Sequence, residues 1–308
     1  MKKYLIIVLL SLSLFSCTED IIIDVQEGPK LVGVSGYITN EYKKHQIVLS
    51  WTSDFYSKDE IEMISGAEVF IHDGFDTIYF EETEQKGHYE TLDPIAGVIG
   101  HTYNLNINIF DNEEMHHYYA KSTMKDNVAQ IDSITIKDVA MGGMQFNIKG
   151  LYAYFQSNTD PSVNYLIDAA INDSLLNKSL LKCAAYSLAG ASGFYVNGPE
   201  FIKLFGELPL HIFGNDKNGN SILNEGDSVT LYLYSITQEF SKYISDVNGN
   251  IGSNPMMGMP YNVSTNIYPQ GKAVGFFEAA SVVKSTVIYW LSTDKKYLKK
   301  VNFYVAEK

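Results

Sequence analysis

The chain has 308 residues, of which 45% are hydrophobic and 19% are charged, so it can bury the core of one large or two medium domains. Its net charge is -13, and its 23 basic residues are all lysine. An acidic chain without arginine is poorly suited to nucleic acid, which is bound through basic patches and bidentate donors. With only 2 cysteines, a disulfide-rich scaffold is excluded.

The first residues have the pattern of an export signal. Two lysines precede an apolar run at residues 4–10 that is too short to span a bilayer, and the segment Leu14-Phe15-Ser16-Cys17 resembles a bacterial lipobox. This resemblance implies that residues 1–16 are a lipoprotein signal peptide and that residues 17–29 are a tether beginning at acylated Cys17. Acyl chains on Cys17 would hold the protein on a lipid bilayer. The alternative is an ordinary signal peptide that happens to contain a cysteine.

An acidic segment, Thr18-Glu19-Asp20, follows the predicted lipidation site. It resembles the signal that sends Bacteroidetes lipoproteins to the outer face of the outer membrane, so we expect a lipid-anchored protein that faces the cell exterior. The alternative is a polar linker on a protein of the inner leaflet. Once Cys17 is acylated, Cys183 has no disulfide partner, and its apolar surroundings in the sequence predict a small buried side chain.

After the tether, short runs of β-branched and aromatic residues alternate with turn residues. Seven such runs within about 95 residues are typical of a β-sandwich of immunoglobulin or fibronectin type. We therefore predict an N-terminal sandwich domain at residues 30–125. Its predicted strands are residues 31–38, 45–52, 67–73, 77–82, 87–92, 101–110 and 117–124.

Asp126-Asn127 is a plausible junction, and residues 128–308 are predicted to form a second β-rich domain with one or two short helices. Apolar residues spaced by three and four predict a helix over residues 236–247, ended by Asn248-Gly249. Residues 201–205 fit a helical turn or a strand, and residues 254–270 read as a long loop. The predicted strands are residues 132–139, 144–155, 165–171, 208–213, 227–236 and 275–290.

Short motifs spread over the mature chain resemble one family. They are the lipobox with its acidic follow-on, residues 31–40, 66–69, 87–89, 100–105 and 229–243, and Asn266-Ile267 followed by Gly271 and Phe276. Together they resemble the Bacteroidetes lipoproteins known as domain of unknown function 4249. That resemblance implies an accessory lipoprotein found beside TonB-dependent outer-membrane transporters, and it supplies no catalytic residue or cofactor to carry over.

The expected function is therefore a non-enzymatic accessory or substrate-capture component of a TonB-dependent nutrient uptake system, with a glycan or a peptide as ligand. Two alternatives stay open, a glycan-binding module and a structural or adhesion lipoprotein of the envelope. An exposed platform of aromatic rings beside amides would favour glycan binding, whereas a perturbed pair of acids in a cleft would favour an enzyme.

Two segments carry groups that could bind a metal ion. In residues 216–227, oxygen ligands at Asp216, Asn218, Asn220 and Asp227 resemble a calcium loop, but Ser221 stands where the tight turn needs glycine, so a solvated turn is the simpler interpretation. Residues 113–117 contain two glutamates and two histidines. Adjacent histidines on a strand point to opposite faces, which favours a hairpin rather than a metal site there.

Four triplets have the form Asp, hydroxyl residue, aliphatic residue, which resembles the O-glycosylation sequence of Bacteroidetes. An alternative is that such triplets simply begin strands after turns. The residues predicted to carry glycans are Thr77, Ser133, Ser174 and Ser228.

The sequence contains 22 tyrosines and 16 phenylalanines, most of which are expected to cover sheet faces. We expect an exposed patch at Tyr152, Tyr154 and Phe155 and in a methionine-rich loop, because methionine and tyrosine suit adaptable interfaces. The residues of this predicted partner or ligand loop are Met256, Met257, Met259, Tyr261 and Tyr268.

Overall fold

The structure is a computed structural model that describes residues 29–53, 60–111, 114–126, 131–141, 144–160, 162–177, 184–186, 195–215, 221–252 and 263–289. The helices are α1 (Pro199–Phe205) and α2 (Gln238–Gly252). The strands are β1 (Val32–Thr39), β2 (Gln46–Trp51), β3 (Glu68–His72), β4 (Thr77–Glu82), β5 (His88–Thr91), β6 (Thr102–Asp111), β7 (Glu114–Thr123), β8 (Ser133–Met141), β9 (Met144–Gln156), β10 (Asn164–Ile171), β11 (Ser174–Leu175), β12 (Ala184–Tyr186), β13 (Tyr195–Val196), β14 (His211–Phe213), β15 (Ser228–Ile236), β16 (Ile267–Tyr268) and β17 (Ala273–Ile288).

The predicted mainly-β fold is confirmed, with large sheets consistent with a β-sandwich. Among the described residues, one sheet of 13 strands has the order β11-β10-β15-β17-β1-β2-β5-β4-β3-β6-β7-β16, with β12 also paired to β10. A second sheet of 4 strands contains β9, flanked by β8 on one side and by β13 and β14 on the other.

The first core lies inside the part of the large sheet formed by β1 to β7, β16 and the first half of β17. Strand β6 shows how the sequence builds this core. Its apolar residues alternate with asparagines and so share one face, and all of them are buried: Tyr103, Leu105, Ile107 and Ile109. The sheet folds over so that its distant strands β7 and β17 meet, where Ser122 Oγ bonds to Glu278. This brings the buried faces of the two halves together.

A second core fills the space between strands β10, β15 and β17 and the smaller sheet. Alternate residues of these strands, such as Leu231 and Leu233, point into it and are fully buried. On the opposite face of the same strands, helix α2 contributes Phe240 and Ile244 to a third, smaller cluster. Strands β10, β15 and β17 are therefore covered on one face by a sheet and on the other in part by a helix.

Hydrogen-bonded pairing crosses the predicted domain junction at Asp126-Asn127. The first half of β17 pairs in parallel with β1, from Val32↔Ala273 to Thr39↔Ala280, and its second half pairs with β15. Strand β17 thus belongs to both cores, so any division near residues 126–127 must leave it shared. The division into domains at 30–125 and 128–308 stays a prediction.

The predicted helix is present as α2. Thr237 caps it by accepting a 3.2 Å hydrogen bond from the backbone N–H of Phe240, as residues of this type do at helix N-termini. The predicted end at Asn248-Gly249 was wrong, because the helix continues to Gly252. One glycine costs a helix only about 1 kcal/mol and does not by itself end it. Residues 201–205, left open between helix and strand, lie in α1. In the described part of the chain, no helix is both long and apolar enough to cross a membrane.

Candidate functional site

A cleft of about 200 Å³ lies on the face of β10, β15 and β17 that α2 leaves partly uncovered. The floor of the cleft is formed by three residues that are neighbours across the sheet. Asp168 of β10 pairs with Tyr232 of β15, which pairs with Lys284 of β17. These three residues share a face because side chains opposite one another in a sheet point the same way. The cleft is lined by Tyr37, Glu41, Lys43, Asp168, Asp173, Leu175, Asn177, Tyr232, Tyr234 and Lys284.

Tyrosine rings supply the apolar surface of the cleft. The rings of Tyr232 and Tyr234 are stacked, with centroids 6.4 Å apart and planes at 15°. The ammonium of Lys284 lies 4.8 Å from the Tyr232 centroid, and that of Lys43 lies 5.9 Å from the Tyr37 centroid. Both distances are within the range of cation–π attraction. The lysines are therefore held against the ring faces.

Glu41 joins the two lysines of the cleft. It accepts a 2.7 Å hydrogen bond from Lys43 Nζ and forms an ion pair with Lys284. Burial alone would raise the pKa of the Glu41 carboxyl, but the hydrogen bonds and charges of Lys284 and Lys43 outweigh it and hold this pKa below its ordinary value of 4.5. Glu41 is consequently an ionised acceptor at neutral pH.

Asp168, the carboxylate of the floor, is 2% exposed. Its Oδ1 accepts hydrogen bonds from the backbone N–H of Ala169 at 2.8 Å and from Asn177 Nδ2 at 2.9 Å. The chain reaches Asn177 through a tight hairpin at Asn172 and Asp173, which have φ of 49° and 63°. Two consecutive residues with positive φ are typical of a type I′ turn, which favours asparagine and aspartate. This turn places Asp173 at the rim of the cleft.

The cleft can offer carboxylate acceptors, ammonium donors and ring faces to one ligand. Its volume is below the roughly 300 Å³ at the lower end of sites for drug-sized molecules. A small polar molecule with one apolar face therefore fits it best.

Several predicted site residues lie outside the described residues. They are Cys17, Cys183, Met256, Met257, Met259, Tyr261, Asp216, Asn218 and Asn220. Of the predicted partner loop, Tyr268 is described. It lies in β16, is 39% exposed, and stacks on Tyr119 with ring centroids 5.3 Å apart.

Asp227, the described member of the calcium candidate, is engaged within the protein. Its Oδ1 accepts a 2.8 Å hydrogen bond from Asn172 Nδ2, and its Oδ2 accepts one of 2.7 Å from the backbone N–H of Asn224. In the other metal candidate, Glu114 to His117 pair with β6 from Asp111 back to Asn108, which agrees with the predicted hairpin. Within the ranges that the structure describes, no three His, Cys, Asp or Glu side chains group closely enough to hold a metal ion.

The four residues predicted to carry glycans differ in exposure. Thr77 and Ser174 are exposed, whereas Ser133 and Ser228 are half-buried. All four begin a strand, as the turn interpretation predicts.

The prediction of an exposed patch at Tyr152 and Phe155 was wrong. Phe155 is 1% exposed and lies in the second core, whereas Tyr152 is 2% exposed and lies with its ring centroid 4.4 Å from Lys137 Nζ. Strand β9 carries bonded neighbours on both edges, which leaves it central in its sheet. A central strand buries its aromatic residues, and an isolated sequence run does not reveal that position.

A family model described as "Domain of unknown function (DUF4249)" matches residues 18–286. The chain belongs to the DUF4249 family. No curated protein matches it.

In this DUF4249 protein, the cleft was not predicted from the sequence. Its Glu41 and Lys284 are distant in the chain and meet only because β1 and β17 pair in parallel. One signal was present, since Asp168 and Lys284 are single charged residues inside otherwise apolar strand segments. A charge in such a position is costly unless it is paired, which points to a built polar site.

Proposed function

We propose that this DUF4249 protein is an outer-membrane lipoprotein facing the cell exterior, acting as a non-enzymatic substrate-capture or accessory component of a TonB-dependent nutrient uptake system. The lipobox-like Leu14–Cys17 and the acidic Thr18-Glu19-Asp20 support the location. The family match begins at Thr18, immediately after Cys17, as expected if the part shared by the family starts at the acylated residue.

The cleft is the observation that supports substrate capture as the function. It brings together three carboxylates, two lysines and three tyrosine rings. General acid catalysis by a carboxyl group needs a raised pKa, whereas the pKa of Glu41 is lowered by Lys284 and Lys43 against the effect of burial. A site in which Glu41 is paired with both lysines suits reversible binding of a small polar nutrient.

The membrane anchor is tested by replacing the predicted acylated sulfur. In cells, Cys17→Ser should abolish incorporation of labelled palmitate and release the protein from the membrane fraction. Cys183→Ser is the matched control and should leave both unchanged. Because the proposal places the folded part outside the cell, added protease should digest the wild-type protein on intact cells. A Cys17→Ser protein that still sediments with the envelope and is digested as before would overturn the anchor.

The transport role is tested by affinity purification of the tagged full-length protein from detergent-solubilised outer membranes. We expect a TonB-dependent transporter to co-purify and to be identified by mass spectrometry. A tagged outer-membrane lipoprotein of similar abundance serves as the control for non-specific recovery. Purification without any transporter would contradict the accessory role.

A further inference from the structure

A row of aromatic side chains crosses five neighbouring strands on the outer face of the large sheet. Register places Tyr79 of β4 beside Phe70 of β3, and Phe70 beside Asn106 of β6. Asn106 in turn pairs with Tyr119 of β7, which pairs with Tyr268 of β16. We call these five residues the ring row. It contains two pairs of rings separated by one amide.

The ring row is open to solvent. Tyr79 is 53% exposed, Tyr119 47% and Tyr268 39%. Within the pairs, ring centroids lie 5.9 Å apart for Phe70 and Tyr79 and 5.3 Å apart for Tyr119 and Tyr268. Neighbouring strands are about 4.8 Å apart, so the row spans roughly 19 Å from β4 to β16. A ligand that covered it would be an extended chain rather than a single small molecule.

Amide groups accompany the rings. Asn106 Nδ2 donates a 3.1 Å hydrogen bond to the backbone carbonyl of Asn104, and Asn104 Nδ2 donates one of 3.2 Å to the carbonyl of His72. These bonds fix the orientation of both amides. Each amide oxygen can accept two hydrogen bonds and is thus able to receive a hydroxyl from a ligand. The centre of the row therefore provides polar recognition between the two ring pairs.

The charges of this face select the type of ligand. The ring row contains no charged side chain. One flanking row holds Glu68, Asn108 and His117 bonded to one another, with Nδ2–Oε2 and Nδ1–Oδ1 distances of 2.7 Å and 2.8 Å, and the other holds His72, Asn104 and the exposed Lys121. A charged ligand would gain no ion pair from the row itself. A neutral chain with apolar faces and many hydroxyl groups matches it, and pyranose sugars have both properties.

We propose that the ring row binds a neutral oligosaccharide chain, with sugar faces stacked on the two ring pairs and hydroxyl groups bonded at Asn106. This site shares no residue with the cleft, and binding by it does not depend on the membrane anchor or on a transporter. The rings of Tyr119 and Tyr268 are nearly parallel, with planes at 14° to one another, and both remain partly exposed to a ligand. The site therefore goes beyond the proposed capture of a small nutrient.

The experiment uses the purified full-length protein in detergent and an array of neutral oligosaccharides, followed by calorimetry with the best binder. We expect binding at micromolar to millimolar concentration. Replacing Tyr119 or Tyr268 with alanine should weaken it about tenfold each, because loss of one stacked ring has an effect of this order. Phe110→Ala is the matched control, since Phe110 is 69% exposed on the same hairpin outside the ring row.

Three results would overturn the proposal. The first is no binding to any neutral oligosaccharide at millimolar concentration. The second is binding that Tyr79→Ala, Tyr119→Ala and Tyr268→Ala leave unchanged while their unfolding temperatures equal that of the wild type. The third is an equal loss in Phe110→Ala, which would indicate general stickiness of the face or a protein partner. None of these results bears on the Cys17→Ser or co-purification experiments, so the two proposals fail separately.

Discussion

Ser122 Oγ donates a 3.1 Å hydrogen bond to Oε2 of Glu278, a carboxyl group with no exposed surface. The same serine oxygen accepts a 2.9 Å hydrogen bond from the backbone N–H of Ala279. Glu278 also accepts two hydrogen bonds from Thr237, one of 2.6 Å from its backbone N–H to Oε1 and one of 2.9 Å from its hydroxyl to Oε2. One buried side chain therefore connects β7, β17 and the start of α2.

Three groups bond to Glu278, namely the Thr237 N–H, the Thr237 hydroxyl and the Ser122 hydroxyl. The loss of stability on replacing Glu278 should therefore depend on whether the new side chain keeps its shape. Glu278→Ala leaves the donors of Thr237 and Ser122 unsatisfied and opens a cavity, so we expect a loss of about 3 kcal/mol in the free energy of unfolding. Glu278→Gln keeps the shape and can bond to all three groups, and should cost less than about 1 kcal/mol. Urea unfolding followed by circular dichroism checks both values. Equal stability of the two variants would contradict the connecting role.

Glu278 should also make stability depend on pH. Burial raises the pKa of this carboxyl to about 8 despite its hydrogen bonds to Thr237 and Ser122, whereas in the unfolded chain it should titrate near 4.5. Between these values the folded state holds a proton that the unfolded state has lost. The contribution of Glu278 to the stability of the folded state is thus full below pH 4.5 and is lost as pH rises through about 8.

We therefore expect the wild type to lose more stability than Glu278→Gln between about pH 5 and about pH 9, by a few kcal/mol. The measurement is the urea midpoint of both proteins at several pH values in that window. Parallel curves for the two proteins would show that Glu278 does not titrate differently on folding.

Much of the strand pattern could be predicted from the sequence, because alternation and turn residues are local signals. The strand at Thr77–Glu82 has the predicted bounds, and β6 shows the predicted buried and polar faces. The parallel pairing of β1 with β17 could not be predicted, since it joins segments more than 200 residues apart and leaves no local pattern. The cleft depends on that pairing and was missed with it.

The ring row illustrates a different limit. Tyr119 and Tyr268 are visible in the sequence, but β16 is a strand of 2 residues inside a segment predicted to be a loop. Its pairing with β7 is what completes the row. An aromatic platform beside amides is the feature expected to favour glycan binding, and it can be located only when the order of the strands is known. The periodicity of the sequence does not provide that order.

Gly275 should be irreplaceable, because an added side chain there would meet the backbone of β1. Its φ is +97°, and a Cβ placed on it would lie 1.9 Å from the carbonyl oxygen of Val34. We expect Gly275→Ala to destabilise the protein by roughly 3 kcal/mol or more, since backbone strain and a clash with main chain act together. The midpoint of thermal unfolding measures this loss.

Gly271→Ala separates the two causes. Gly271 also has a positive φ, +75°, but no atom of the described residues lies within 4 Å of the position that an added Cβ would take, so only backbone strain applies. We expect a loss of about 1 kcal/mol for this variant. If both alanine variants lost the same stability, the close approach to Val34 would have no role.

Exposure predicts which hydroxyl groups are modified if the glycosylation hypothesis is correct. Thr77 and Ser174 are exposed and so accessible to a transferase on the folded chain, whereas Ser133 and Ser228 are half-buried. We expect glycopeptide mass spectrometry of the protein from its own organism to find glycans first on Thr77 and Ser174. Thr77→Ala and Ser174→Ala should each remove one glycan mass. An unmodified chain, or glycans only on Ser133 and Ser228, would contradict this prediction.

The cleft should lose its ligand when its central ring is removed. Tyr232 carries the stacked ring beneath Lys284, so Tyr232→Ala should weaken binding about tenfold by removing the ring face. The probes are free amino acids and monosaccharides, tested by the shift they cause in the unfolding temperature. A probe at about 100 times its dissociation constant should stabilise the wild type by about 2.7 kcal/mol, and roughly half of that should disappear in the variant. Tyr42→Ala, a 77% exposed tyrosine outside the cleft, should keep the full shift. If no probe stabilised the wild type, or if both variants responded alike, the cleft would not be a binding site for small polar nutrients.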